Sequence, residues 1–115
     1  MDKVIIVAFR GEPSCFQHAL LNVLDMVDRG FDARLIIEGS ATKNIKELHG
    51  SSERLAKLYQ RVKDQSLIEA VCRACSAQMG ALESAEEQGL YIDGGMSGHP
   101  SLGKYIADGY QVVVL

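Results

Sequence analysis

The stretch that decides the fold is Leu67–Gly80, with the sequence LIEAVCRACSAQMG. Its apolar run Leu67–Val71 is typical of a buried strand, and Cys72-Arg73-Ala74-Cys75 follows directly. Small residues that are acceptable in a helix come next, and Gly80 is placed to end that helix. We therefore predict a buried strand, a sharp exit, and a short helix that carries two thiols at its N-terminus.

The position of the two thiols predicts their reactivity. A helix N-terminus has unpaired N–H groups and carries roughly +0.5 of a charge. A cysteine placed there loses one or more units from an ordinary pKa of ~8.5, which raises the thiolate fraction at neutral pH. If the helix starts at Cys72–Ala74, Cys72 is the more reactive thiol and Cys75 modulates it. If it starts at Cys75, the order reverses.

The first half of the chain alternates strand and helix patterns around this stretch. Strands are predicted at Val4–Phe9 and Ala33–Ile37, and short helices at Lys43–Leu48 and after a Ser51 or Ser52 cap. The clearest amphipathic helix begins near Pro13-Ser14, ends near Arg29-Gly30, and has its apolar residues at helical spacing: Phe16, Ala19, Leu20, Val23, Leu24 and Val27. The helix after Ser52 buries Leu55, Leu58, Tyr59 and Val62.

The second half continues the alternation. Ala81–Gln88 is predicted as a helix, Leu90–Ile92 as a short strand, and Asp93–His99 as a glycine-rich loop. Pro100 suits the first position of a helix that runs to about Asp108, and Tyr110–Leu115 is the last strand. The fold class is therefore α/β: one domain over residues 1–115, a three-layer α/β/α arrangement with a five-stranded, mainly parallel sheet.

Parallel sheets of this kind bind ligands at the carboxyl ends of their strands. The loops at that edge are Arg10–Ser14, Glu38–Thr42, Cys72–Cys75 and Asp93–His99. Candidate binding residues in them are Arg10 for an anion, Glu38 as an acid/base group, a cap or a partner of Lys43, and His99 as a base or hydrogen-bond donor near the thiols. The pattern leaves the strand order open, so it does not say which of these loops are neighbours.

Taken together, these features resemble the DsrE/TusD-like sulfur-relay family over essentially the whole chain. In TusD-like members a cysteine ends the third strand and a glycine closes the short helix eight residues later, as Cys72 and Gly80 do here. Other DsrE-like domains carry a Cys-x-x-Cys at this place. The resemblance implies a three-layer fold, a homotrimer or homohexamer, and a cysteine that carries sulfane sulfur as a persulfide. Cys75 departs from the one-cysteine pattern, because a second thiol can discharge a persulfide as sulfide.

Other interpretations of the cysteines remain open. Free cysteines are often buried and inert, and a Cys-x-x-Cys also occurs at thioredoxin-type redox sites. The same motif is half of a zinc site, for which the chain offers further ligands but no second pair: Cys15, His18, His49 and His99. Cys15 could be a third reactive thiol, although helix packing is its simpler role. We predict no cofactor and no metal from the sequence.

Composition excludes several classes of function. The 115 residues carry a net charge of −3 and no basic run, which argues against a nucleic-acid surface. No apolar stretch approaches the ~18–20 residues that span a bilayer, so a cytoplasmic location is expected. Two functions stay open: sulfane-sulfur handling with a donor or acceptor protein, and an oligomeric small-ligand-binding module whose thiols are incidental. Whether the chain is an enzyme is left open.

Overall fold

The computed structural model describes residues 2–115, and Leu67–Gly80 folds in it as a strand that leads directly into a short helix. The five strands are β1 (Lys3–Ala8), β2 (Asp32–Ile37), β3 (Ile68–Cys72), β4 (Ile92–Asp93) and β5 (Gln111–Val114). The six α-helices are α1 (Pro13–Asp28), α2 (Lys43–Leu48), α3 (Arg54–Asp64), α4 (Arg73–Gln78), α5 (Leu82–Glu87) and α6 (Leu102–Ala107). A 3₁₀ turn, Gly39–Thr42, precedes α2.

All five strands are parallel and lie in the order β4-β3-β2-β1-β5. The chain builds the sheet outward from β1 to β4 and then crosses back, so that β5 pairs with the opposite side of β1. The β2–β3 register shifts between Leu35 and Ile36. The predicted five-stranded parallel sheet is confirmed.

The two faces of the sheet are covered unequally. One face carries the larger core, where residues of α1, α2, α3 and α5 pack against β1, β2 and β3. The opposite face is covered by α6, whose Tyr105 and Leu102 pack on Ile5, Val7 and Ile36. These layers give the predicted three-layer α/β/α architecture.

The amphipathic helix α1 has the bounds that its sequence predicts. Pro13 stands in its first turn, where a missing N–H costs nothing. Five of its six predicted inward residues are buried, and Val27 is half-buried. Gly30, with a φ of 90°, ends the helix, because glycine adopts this backbone conformation without the strain that a side chain adds.

Several predicted boundaries shift by a residue or two, and three of the differences have a local reason. The cap of α3 is Glu53, whose N–H donates to the Ser51 hydroxyl. Helix α6 starts after Ser101, which accepts from the Lys104 N–H, so that Pro100 stands just outside it. Strand β4 is Ile92–Asp93, because the N–H of Leu90 bonds to Ala85 at the end of α5.

No helix within residues 2–115 is both long enough and apolar enough to cross a membrane.

Candidate functional site

The strand order brings three of the predicted loops together. Strand β3 lies between β2 and β4, so the carboxyl end of β3, with its two thiols, is flanked by the loops that carry Glu38 and His99. The sequence alone could not supply this adjacency.

Cys72 ends β3 and caps α4. Its backbone is extended (φ −65°, ψ 122°), and its Sγ accepts a hydrogen bond of 3.4 Å from the Cys75 N–H. Helix α4 therefore begins at Arg73, within the range that the sequence predicts. The Cys72 side chain is fully buried, whereas Cys75 is half-buried.

His99 joins the two cysteines. Its Nδ1 lies 3.2 Å from Cys72 Sγ and 3.8 Å from Cys75 Sγ. The two sulfurs and this nitrogen all lie within 4.8 Å of one another. We call these three side chains, Cys72, Cys75 and His99, the thiol–imidazole cluster. The sequence-predicted pairing of His99 with the thiols is thus present in the structure.

The loop that carries His99 is fixed by backbone contacts. Met96 and His99 exchange two N–H···O bonds of 2.9 Å, and the Gly98 carbonyl accepts from the Ala74 N–H at 2.9 Å. Gly98 has a φ of 95°, and a Cβ added there would lie 3.2 Å from the Ala74 Cβ. The loop can approach the first turn of α4 this closely because residue 98 has no side chain.

The electrostatics of Cys72 contradict the predicted low pKa. Burial, and after it contact with the Cys75 side chain, raise the pKa of the Cys72 thiol to about 12. The N–H of Cys75 acts in the predicted direction and lowers it, but burial is the larger effect because a thiolate loses its hydration there. In the isolated chain Cys72 is therefore mainly a thiol at neutral pH, and Cys75 is the more accessible sulfur.

Glu38 lies at the end of β2 and adds a charge beside the cluster. It is 8% exposed, and burial raises its pKa, while the charge on His99 lowers it. Its charge also contributes to raising the pKa of Cys72. No hydrogen bond to its carboxylate forms within residues 2–115. The interpretation of Glu38 as a cap is wrong, because the turn after it has no side-chain cap bond.

Arg10 does not belong to this cluster. It lines a separate cavity of about 600 Å³ between the ends of β1 and β5. Cys15, half-buried on α1, lines the same cavity and is not a third thiol of the cluster. The rest of the lining comes from both strand ends and α1: Phe9, Ser14, His18, Val114 and Leu115.

Sequence reasoning missed two features of this edge. Asp93 is buried at the end of β4 beside the cysteine loop, with Lys104 of α6 3.8 Å from its carboxylate. His18 joins Arg10 in the cavity. The burial of Asp93 could be suspected from its place at a strand end, whereas the placement of His18 beside Arg10 needs the strand order.

Comparison with known proteins identifies relatives of the chain that are uncharacterized proteins. It is 30% identical over 98 residues to the uncharacterized protein MJ0733 of Methanocaldococcus jannaschii, which covers 85% of this chain and 78% of that protein. The chain belongs to the same family as MJ0733. An uncharacterized protein of Archaeoglobus fulgidus is 42% identical over 40 residues, which is 35% of this chain and 66% of that protein.

The fold has a solved counterpart. A conserved protein of unknown function from Bacteroides thetaiotaomicron, BT1422, superposes with a TM-score of 0.70 at 17% identity, over 99% of this chain and 95% of that one. The likeness concerns the fold alone. No family model matches the chain.

Proposed function

We propose that the chain handles sulfane sulfur at the thiol–imidazole cluster, with Cys75 as the first acceptor. The observation that carries the proposal is the meeting of two sulfurs and an imidazole nitrogen within 4.8 Å at the carboxyl edge of a parallel sheet. The resemblance of Leu67–Gly80 to DsrE/TusD-like proteins supports the same chemistry. Cys75 is chosen because Cys72 is fully buried.

The first step is acceptance of one sulfur atom. His99 Nδ1, 3.8 Å from Cys75 Sγ, takes the thiol proton. The Cys75 thiolate then attacks the terminal sulfur of a polysulfide. A donor S–S bond breaks, the donor leaves as an anion one sulfur shorter, and Cys75 becomes a persulfide.

The second step uses one of two routes. An acceptor thiolate attacks the outer sulfur, takes it, and regenerates Cys75. Alternatively, the Cys72 thiolate attacks Cys75 Sγ, so that a Cys72–Cys75 disulfide forms and hydrosulfide leaves. A dithiol reductant then restores both thiols. Burial slows the second route, because it disfavours the Cys72 thiolate.

Intact mass after incubation with inorganic polysulfide tests the proposal. We expect a gain of about 32 Da, the mass of one sulfur atom, on the wild-type chain. The Cys75→Ser variant should lose this gain, and Cys72→Ser should retain it for longer because the persulfide cannot discharge internally. Cys15→Ser is the matched control and should behave as wild type. No gain on wild type, or a gain lost only in Cys15→Ser, contradicts the proposal.

A second candidate function rests on the cavity beside Arg10. The strand order reverses at β1, because β2 to β4 are added on one side of it and β5 on the other, and in open parallel sheets ligands bind in the crevice at such a point. Arg10 and His18 suit a small anionic ligand. Arg10→Ala should weaken the binding of such a ligand in calorimetry, with no effect on the polysulfide adduct. A small-anion screen in which Arg10→Ala binds as tightly as wild type would exclude this function.

The expected assembly, partner protein and compartment are also proposals. Self-association as a homotrimer or homohexamer is proposed from the family resemblance, together with a sulfur donor or acceptor protein. The cytoplasm, where thiols stay reduced, is the compartment that suits this chemistry.

A further inference from the structure

The thiol–imidazole cluster has the composition of a zinc centre. Zn²⁺ prefers thiolate sulfur and imidazole nitrogen, and centres with two cysteines and one histidine leave a fourth position open. The Cys-x-x-Cys pair supplies two ligands from the end of β3, and His99 supplies the third from the loop after β4. The third ligand therefore comes from a neighbouring strand end, which the sequence spacing does not reveal.

The two sulfur–nitrogen distances of the cluster are close to those of tetrahedral coordination. Zn–S bonds of about 2.3 Å and Zn–N bonds of about 2.0–2.1 Å place sulfur and nitrogen ligands about 3.6 Å apart. The two sulfur–nitrogen separations, 3.2 and 3.8 Å, lie on either side of that value. Each of these two separations needs to change by only a few tenths of an ångström to match that value.

The burial and charge of Glu38 give independent support for a cation at the cluster. Glu38 is buried as a residue, its carboxylate accepts no protein hydrogen bond within residues 2–115 and keeps some contact with solvent, and it interacts by charge with both His99 and Cys72. An ion at the cluster supplies the positive charge that this carboxylate lacks. Metal-bound imidazoles also commonly donate their other ring N–H to a carboxylate.

From these observations we propose that Cys72 Sγ, Cys75 Sγ and His99 Nδ1 bind one Zn²⁺ ion, with Glu38 as a positioning residue for His99. The fourth position is open to water or to a thiol-containing ligand. The inference is independent of the sulfur chemistry, because it requires only the three ligand atoms. An ion bound there removes both thiols from reaction, so zinc and polysulfide compete for one site.

Cobalt(II) is the probe that tests the centre. The reduced, metal-free chain is titrated with cobalt(II), and the thiolate-to-cobalt charge-transfer absorption in the near ultraviolet is followed. We expect saturation at one ion per chain, and loss of the band when Zn²⁺ is added. Cys75→Ser and His99→Ala should each lower the affinity by at least about a hundredfold, whereas Cys15→Ser should match wild type.

Glu38→Gln tests the positioning role. It should keep the charge-transfer band, because both sulfurs remain, and lower the affinity by about tenfold. Unchanged affinity in this variant would remove Glu38 from the proposal. A wild-type chain without a band at excess cobalt, or a Cys75→Ser variant that binds cobalt as tightly as wild type, would overturn the centre itself.

Two further measurements keep the test decisive. If a ligand variant fails to fold, protection of Cys75 in the wild-type chain is measured instead: Zn²⁺ should slow its alkylation, and unchanged alkylation contradicts the centre. The polysulfide adduct is measured separately with a chelator present. A missing adduct then counts against sulfur handling alone, and a missing cobalt band against the zinc centre alone.

Discussion

Replacement of Gly98 by alanine tests whether the contact between the His99 loop and α4 positions the cluster. Gly98 has a φ of 95°, and the new Cβ would lie 3.2 Å from the Ala74 Cβ. Carbon atoms pack best at about 3.5–4.0 Å, so the loop or the first turn of α4 must move by a few tenths of an ångström. His99 is the next residue, and its 3.2 Å contact with Cys72 must change with it.

Gly109→Ala is the matched control for this substitution. Gly109 has nearly the same φ, 92°, but no atom lies within 4 Å of its added Cβ. The left-handed conformation costs a side chain about 1–2 kcal/mol, so Gly109→Ala should lose that much free energy of unfolding and Gly98→Ala at least that much. For 115 residues at about 2.1 cal/mol/K each, this corresponds to a fall in Tm of about 4–8 °C.

Only Gly98→Ala should alter the cluster. Urea unfolding measures the shared loss of stability, and cobalt(II) titration and the polysulfide mass shift measure the site. We expect Gly109→Ala to match wild type in both site assays, and Gly98→Ala to bind cobalt about tenfold more weakly. Equal cobalt affinity in the two variants would refute the role of the Gly98–Ala74 contact in placing His99.

Three further predictions concern reactivity, charge and assembly. With a limiting alkylating agent and peptide mass mapping, Cys75 should be modified before Cys72 at neutral pH, because the pKa of Cys72 is raised to about 12; earlier modification of Cys72 would contradict this order. Burial raises the folded-state pKa of Glu38 above its ordinary value of 4.5, so ionising it costs stability as the pH rises past that value. Urea unfolding should therefore show Glu38→Gln more stable than wild type at neutral pH and no different well below pH 4.5, and a difference independent of pH would argue against a charge effect. Light scattering should return a trimer or hexamer, and a monomer of 12.5 kDa would count against the expected self-association.

Much of the fold could be predicted because its signals are local. The apolar spacing of α1 and the continuous apolar run of β1 report burial directly, since a strand covered on both faces must be apolar throughout. The limits of α6 were harder, because Pro100 and Ser101 are both acceptable at a helix start. Only the Ser101–Lys104 bond decides between them.

The candidate site was only partly predictable, because its composition depends on strand order. The sequence placed Cys72, Cys75, Glu38, His99 and Arg10 at one edge of the sheet but could not say which were neighbours. The structure brings the first four together and separates Arg10, because Arg10 follows β1 and β2 lies between β1 and β3. The burial of Cys72, which reverses its predicted pKa shift, likewise arises from the elements that pack around it.

The return of β5 to the side of β1 has a consequence for the order of folding. Val4 of β1 pairs with Gln111 of β5, which lies far along the chain, whereas Lys3 of β1 pairs with Asp32 of β2, which lies much nearer. Closing the longer segment costs about 1.2 kcal/mol more chain entropy, since the cost grows with the logarithm of the separation. We therefore expect strands β1 to β4 to assemble first, with the cluster at the carboxyl edge of the sheet. Until β5 pairs with β1, one side of β1 is without a partner strand. The cavity beside Arg10 is completed last, when β5 docks.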